Sequence, residues 1–381
     1  MMTKIIRMVA LGMFLLPGVS HNLFAERKEI AIRLFERLTG SPLIPQDGRV
    51  DVMSALIEGG NALGAAHIAT EDNGFYDVTL KNWATPLGNR DFDPYDTLND
   101  FVSMIIGTVR DGRDARELLF GNFTYAAPTV HGIPPVNPRN NDHYKFLDDN
   151  HVSLRQELIR IEPQRDDLPD SAGLLTSRGW GAAHLVAGTN RRAVEFSFLV
   201  FMCAPIKEIA DAEVSDWHVR RDVDRTPGGI TATYIQSCRA CHAGMDALGG
   251  AYGRYDFTNN QVTYLPGIAT KVNKNGAVYP EGHVTTNDSW INYWTRNQNV
   301  HFDWRGNLEG AGVRSFGIML ANSGGFAKCM AKRTFKSMCR REPLEEEEVD
   351  IVTLAKSFSE NGYNLRHLFE EAAILPNCLG N

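Results

Sequence analysis

The chain has little that would tie it to a membrane or to nucleic acid. Apart from an apolar run between Met8 and Val19, none of its 381 residues belong to a hydrophobic stretch near the roughly 20 needed to span a bilayer. Positive charge is in deficit: 39 Lys and Arg face 46 Asp and Glu, giving a formal net charge of −7 and a pI near 5.9. That balance argues against nucleic acid and gives no reason to expect an anionic membrane surface as partner. No His-Glu-x-x-His, Walker-type glycine loop or Gly-x-Ser-x-Gly elbow is present. The metallopeptidase, phosphate-binding and serine-hydrolase chemistries therefore lack a sequence warrant. Internal repeats and low-complexity tracts are missing too, and cysteine is scarce, with six in all.

Two of those six stand in Cys238-Arg239-Ala240-Cys241-His242. Cys-x-x-Cys-His is the attachment pattern of c-type haem. Two thiols three positions apart share one face of a helical turn, where they can form thioethers with the two vinyl groups of a haem. The following imidazole can bind the iron from the proximal side. The expected site is thus Cys238 and Cys241 for covalent attachment and His242 as the iron ligand, with one haem c as cofactor. Met245 sits one turn beyond His242 on the same side of the porphyrin, so it is excluded as the opposite ligand and reads as packing.

The N-terminus agrees with this chemistry. Lys4 and Arg7 precede the apolar run, and Leu23-Phe24-Ala25 precedes the charged Glu26-Arg27-Lys28. This is the order of a secretory signal peptide with cleavage near Ala25, after which no transmembrane span is expected. The expected location is periplasmic or secreted, where haem is attached covalently. The remaining cysteines, Cys203, Cys329, Cys339 and Cys378, are even in number in an oxidising compartment, which allows two disulfides. If the C-terminal segment forms three successive helices, the first and third end on the same side. That favours Cys339 with Cys378 and leaves Cys203 with Cys329; four buried free thiols are the alternative.

The fold class expected is mainly α with little β. Residues 1–25 read as the signal peptide, 26–204 as a helical N-terminal domain, and 205–381 as a cytochrome c-like haem domain ending in a helical module. Ile30, Leu34, Phe35 and Leu38 follow a helical period stopped by Gly40 and Pro42; Val52, Met53, Leu56 and Ile57 repeat it. Leu98, Phe101, Val102, Ile105 and Val109 make the cleanest amphipathic face, with Asp93 and Asp96 as candidate caps. The acidic cluster there lacks the spacing of a calcium loop. Phe123 to Asn141 reads as a long irregular connection, Ala193 to Cys203 as a buried helix, and Arg220 to Gly229 as a linker. Short strands are expected around Val262-Thr263-Tyr264 and Ala277-Val278-Tyr279. The run Glu345 to Glu348 after Pro343 reads as a helix start, with docking of a basic partner as the other reading. Leu365, Leu368, Phe369 and Ala372 close the chain as an amphipathic helix.

Around the motif the chain reads Cys-Arg-Ala-Cys-His-Ala-Gly-Met-Asp, then Gly249-Gly250 and Gly253-Arg254-Tyr255. With Asp114 to Tyr125, Gly173-Leu174-Leu175-Thr176, Arg191 to Cys203, Gly312 to Phe316, Phe326 to Cys329 and the stretch from Asn361, this resembles the large bacterial family of secreted cytochrome c domain proteins first noted in planctomycetes. It departs from that pattern after Cys203, where a proline-rich stretch is missing, and at Ser337 to Arg341. The resemblance implies a secreted haem c protein with helical modules on both sides of the motif, and leaves the substrate undefined.

The distal iron ligand decides the rest. His283, His301, Met319 and Met330 are the candidates in the same domain, with His283 favoured by its Pro280-Glu281-Gly282 loop; the N-terminal domain and an open position remain alternatives. Leu248, Tyr252, Tyr255 and Phe257 are expected to wall the ring, and Arg254 to pair with a propionate. The leading function is single-electron transfer with periplasmic redox partners. The alternative is a periplasmic haem oxidoreductase, peroxidase-like or acting on an organic substrate, with an open distal site. A third, a thiol-disulfide protein, lacks the expected βαβ pattern and leaves His242 unexplained.

Overall fold

The computed structural model describes residues 17–130, 132–223, 231–274 and 280–379. The chain is mainly helical, with three small two-stranded antiparallel sheets among the described residues. Most of the expected export signal lies outside those residues, as do the expected strand at Ala277 to Tyr279 and the Pro227-Gly228-Gly229 turn. No helix among the described residues is long and apolar enough to cross a membrane.

The first helix, Pro17–Thr39, buries Ala31, Leu34, Phe35 and Leu38, and Gly40 ends it in the left-handed conformation at φ 65°. Helix Gly48–Glu58 starts on Asp47, which accepts the Arg49 N–H at 2.9 Å. Its buried face carries Val50 and Met53, while Val52 is 53% exposed. The expected face was therefore mis-phased at Val52, since one residue of offset turns a side chain about 100° round a helix. Helix Asp100–Arg110 is buried on every side from Phe101 to Val109, so the apolar face read from the sequence is only its most regular stripe. Its cap is Asn99, which accepts the Val102 N–H; Asp93 and Asp96 instead receive Tyr95 and Thr97 N–H groups in the preceding turns.

Strand β1 (Thr124–Ala126) pairs with β2 (Ile159–Ile161), β3 (Tyr255–Thr258) with β4 (Gln261–Tyr264), and β5 (Ser289–Ile291) with β6 (Glu309–Ala311). The expected strand at Val262 to Tyr264 is β4. Arg191–Phe201 is the buried helix expected before Cys203. Towards the C-terminus run Gly312–Ala321, Gly324–Cys339, Glu348–Glu360 and Leu365–Ala373. Glu345 to Glu348 do start a helix, and the buried Glu347 accepts both the Leu344 N–H and the Arg341 guanidinium.

Both expected disulfides are present, Cys203–Cys329 with Cα atoms 5.2 Å apart and Cys339–Cys378 at 4.2 Å. In the chain-entropy picture, closing the longer loop stabilises the fold by about 4–5 kcal/mol. One cluster of buried apolar side chains extends from Ala31 to Cys378, drawing on residues before and after position 205.

Inside that core His184 is a polar exception. Its ring lies 4.3 Å from Trp180 and 4.3 Å from Phe196, and neither nitrogen has a hydrogen-bond partner among the described residues. Burial, reinforced by Arg192 and Arg90, pushes its pKa from the ordinary 6.5 down to about 3. The depressed value means the unfolded chain binds the proton first as pH falls. Stability contributed above pH 6.5 is therefore lost progressively between about 6.5 and 3, by at most about 1.4 kcal/mol per pH unit. His184→Leu is expected to flatten this part of the acid-unfolding profile without lowering stability at pH 7. A variant profile parallel to wild type across that window would contradict it.

Candidate haem-attachment site

Helix Arg239–Leu248 carries Ala240 to His242, and a π-helical turn, Tyr234–Cys238, leads into it. Of the six cysteines, only Cys238 and Cys241 are free, and both are half-buried. The helix sits close to the core because Gly244 has no side chain: a Cβ there would lie 2.2 Å from the Trp294 ring. After the helix, Gly250 lets the Ser289 carbonyl approach to 1.8 Å of where a Cβ would stand, so β5 crosses directly over the turn.

His242 is about three-quarters buried, and its Nδ1 lies 3.5 Å from Asp246 Oδ2, one helical turn along the same face. Asp246 is fully enclosed by cations. Arg191 donates to it through Nε and, at 2.9 Å, through Nη2; Arg220 donates its backbone N–H at 3.0 Å and places Nη2 at 3.4 Å. Asp222 takes the other edge of Arg191 with two bonds of 2.6 and 2.7 Å. Burial alone would raise the Asp246 pKa, but Arg220, the hydrogen bonds of Arg191 and the neighbouring His242 outweigh it and hold it well below 3.8. The carboxylate is thus ionised, and it faces the His242 ring electrostatically, since Nδ1 makes no hydrogen bond among the described residues.

Arg220 is the clearest departure from expectation here. It reads as a linker residue, yet it is 2% exposed, because Asp246 neutralises it and the Thr189 and Val272 carbonyls accept from its Nη1, leaving only Nε without a partner among the described residues. Beside it, His218 stands with its Nδ1 3.1 Å from the Tyr293 hydroxyl and its ring 5.0 Å from His283. The His283 N–H donates to the Val219 carbonyl at 2.8 Å. Burial lowers the His218 pKa, with Asp246 acting in the opposite direction. His218 also borders a cavity of about 910 Å³ shared with β5 and the Gly306–Gly310 turn.

The other candidate ligands lie in different settings. His301 is exposed and bonded to the Gln298 carbonyl. Met319 is buried, with the Asn292 amide 3.5 Å from its sulfur, and Met330 is buried in helix Gly324–Cys339. Met245 is buried in the main core, as packing requires. Leu248, Tyr252 and Tyr255 also belong to that core; the two tyrosine hydroxyls bond Ser197 and the Asp170 carbonyl. Cys238 instead packs against a separate small cluster of Val214, Val219, Val223, Tyr234 and Ala243, with Tyr293 at its edge. Arg254 is held by Asp288 at 3.1 Å and by the Pro266 carbonyl.

These residues fit a covalently held haem in three respects: two free thiols at helical spacing, an adjacent imidazole with an oriented Nδ1, and an apolar cluster beside the first thiol. Asp222 and His218 join the site without any pattern in the sequence to announce them; Asp246 was within the Met-Asp pair after the motif, and its spacing of four from His242 pointed to their contact. Asp246→Asn leaves two buried guanidiniums sharing one carboxylate and is expected to cost about 3–5 kcal/mol in denaturant unfolding. A loss below about 1 kcal/mol would mean that the network is not what holds the motif helix in place. No family profile, curated protein or solved structure matches the chain.

Proposed function

We propose that this chain is an exported c-type haem protein that moves single electrons, with one haem held by Cys238 and Cys241 and ligated by His242. The observation that carries the reading is the state of the six cysteines around one oriented imidazole. Four are closed in disulfides, and the two free ones directly precede His242, whose Nδ1 faces the buried, ionised Asp246. Bound there, haem supplies an iron that changes charge by one electron.

The chain's own residues do the remaining work. Asp246, one turn along the same helix face, orients the ring of His242 by its charge. The Val214–Val219–Val223–Tyr234 cluster keeps water away from Cys238. For the opposite face, the His218–His283 pair is favoured over His301, Met319 and Met330, since it alone places two imidazoles together next to the Asp246 network. Trp217, 75% exposed beside His218, gives a redox partner an apolar contact of the small kind that transient electron transfer uses. Two disulfides and the Lys4-to-Ala25 pattern support export to the periplasm or beyond, with cleavage near Ala25.

A second reading, a haem oxidoreductase with an open distal site, is favoured by the 910 Å³ cavity bordered by His218, which is of substrate size. A thiol-disulfide function is disfavoured: burial, with Glu195 nearby, raises the Cys241 pKa, the opposite of what an attacking thiol needs.

Expression with a haem-ligation system followed by a pyridine haemochrome assay is expected to give one covalent haem per chain, lost in Cys238→Ala/Cys241→Ala. No covalent haem in the unmodified protein would overturn both haem readings. Carbon monoxide titration of the reduced protein then separates them. A carrier with both axial positions filled leaves the spectrum unchanged, and stoichiometric binding selects the oxidoreductase.

A further inference from the structure

Away from the haem motif, a groove of about 650 Å³ lies where the C-terminal ends of helices Pro17–Thr39 and Gly324–Cys339 meet. Arg37, Arg333, Lys336 and Arg340 line it together with the half-buried aromatic rings of Trp83 and Phe92, and no carboxylate lines it. Lys336 is paired with Glu342 outside the lining. Arg37 and Arg340 form no ion pair with a carboxylate among the described residues, and Arg333 shares Glu342 with Lys336 at longer range. Arg37 donates to the Met338 carbonyl, and Arg333 to the Leu199 and Val200 carbonyls at 3.0 Å each.

Those carbonyls belong to the last turns of helices, so part of the positive charge is accounted for by fold alone. Three helix ends contribute here, at Thr39, Phe201 and Cys339. Each carries about half a negative charge, so together they offset about half of the three guanidinium charges. A surplus of one to two positive charges remains. Arg37 feels its neighbours: after burial, Arg340 and Arg33 lower its pKa, while burial alone pushes Arg333 down to about 10 against the opposing effect of Glu342. Arg340 is placed at the groove by its role as the left-handed cap of helix Gly324–Cys339, at φ 57°, and Phe92 also sits in the left-handed region, at φ 54°. The Cys203–Cys329 bridge fastens the end of helix Arg191–Phe201 to the helix bearing Arg333, so the cations are held rather than free to separate.

We infer that this groove binds a small amphiphilic anion, one carboxylate or phosphate group carried on an apolar body. The headgroup neutralises the uncompensated arginines, and Trp83 and Phe92 take the apolar part. The charge surplus favours an anion of about −1 to −2, and the aromatic walls favour an apolar body over a bare inorganic ion.

Isothermal titration calorimetry of the full mature protein tests this with decanoate and with inorganic phosphate as probes. Decanoate is expected to bind with one site per chain, and phosphate at least roughly tenfold more weakly. Arg340→Gln, at an exposed position, is expected to weaken decanoate roughly tenfold, and Arg340→Lys to restore most of the loss. Trp83→Leu is expected to weaken decanoate and leave phosphate unchanged. No decanoate binding, binding indifferent to Arg340→Gln, or phosphate binding as tightly as decanoate would each overturn the inference. Circular dichroism of each variant separates loss of the groove from loss of fold.

Discussion

One buried carboxylate organises the centre of this molecule. Asp246 joins the motif helix to Arg191 at the start of one buried helix and to Arg220 in the segment before the motif, and it faces the ring of His242. Charges buried this deeply are costly to desolvate, and they persist only when each is matched. Two guanidiniums and two carboxylates, with Asp222 as the fourth member, meet that condition. The arrangement also cancels a local conflict. A cation in the first turn of a helix opposes its dipole, and Arg191 is tolerated there because Asp246 and Asp222 cover it. The position of the His242 ring beside an ionised carboxylate is a consequence of that matching.

The elements carrying this network were largely legible in the sequence, and the network was not. Cys238 to His242 is a contiguous pattern, so five adjacent letters suffice to propose its chemistry. The helices at Leu34 and Leu368 follow from apolar periodicity and the one at Phe198 from its apolar content, while the side shared by helix ends favoured the observed cysteine pairing over four free thiols. Asp246 lies in the same short stretch, but its role depends on Arg191, 55 residues away, and Arg220, 26 residues away. No local pattern distinguishes a buried arginine from a solvated one, and so Arg220 reads as linker. Leu248, Tyr252 and Tyr255 follow the motif closely and look like neighbours of its ligand. They turn into the main core because the glycines at 249, 250 and 253 and strand β3 carry the chain away from the thiols. His218 carries no motif at all, and only folding brings it to His283 and Tyr293.

The helix Arg191–Phe201 links the two regions of chemical interest. Its first residue serves the Asp246 network, and its last carbonyls receive Arg333 in the cationic groove. Eleven residues at 1.5 Å each span about 16 Å, so the two sites stand at opposite ends of one rigid, buried rod. The Cys203–Cys329 bridge closes immediately beyond its end. This explains why a disulfide and a buried ion cluster occur in one architecture. Each fixes one end of the element on which both sites rest.

The central claim is that Cys238, Cys241 and His242 form a covalent haem site on an exported chain. Peptide mapping by mass spectrometry, on protein exported from cells that possess haem-ligation machinery, addresses it most directly. The account predicts an N-terminus near Glu26 and one added haem mass, confined to the peptide that contains Cys238 to His242. The same peptide found unmodified, with Cys238 and Cys241 as free thiols or joined to each other, would contradict it.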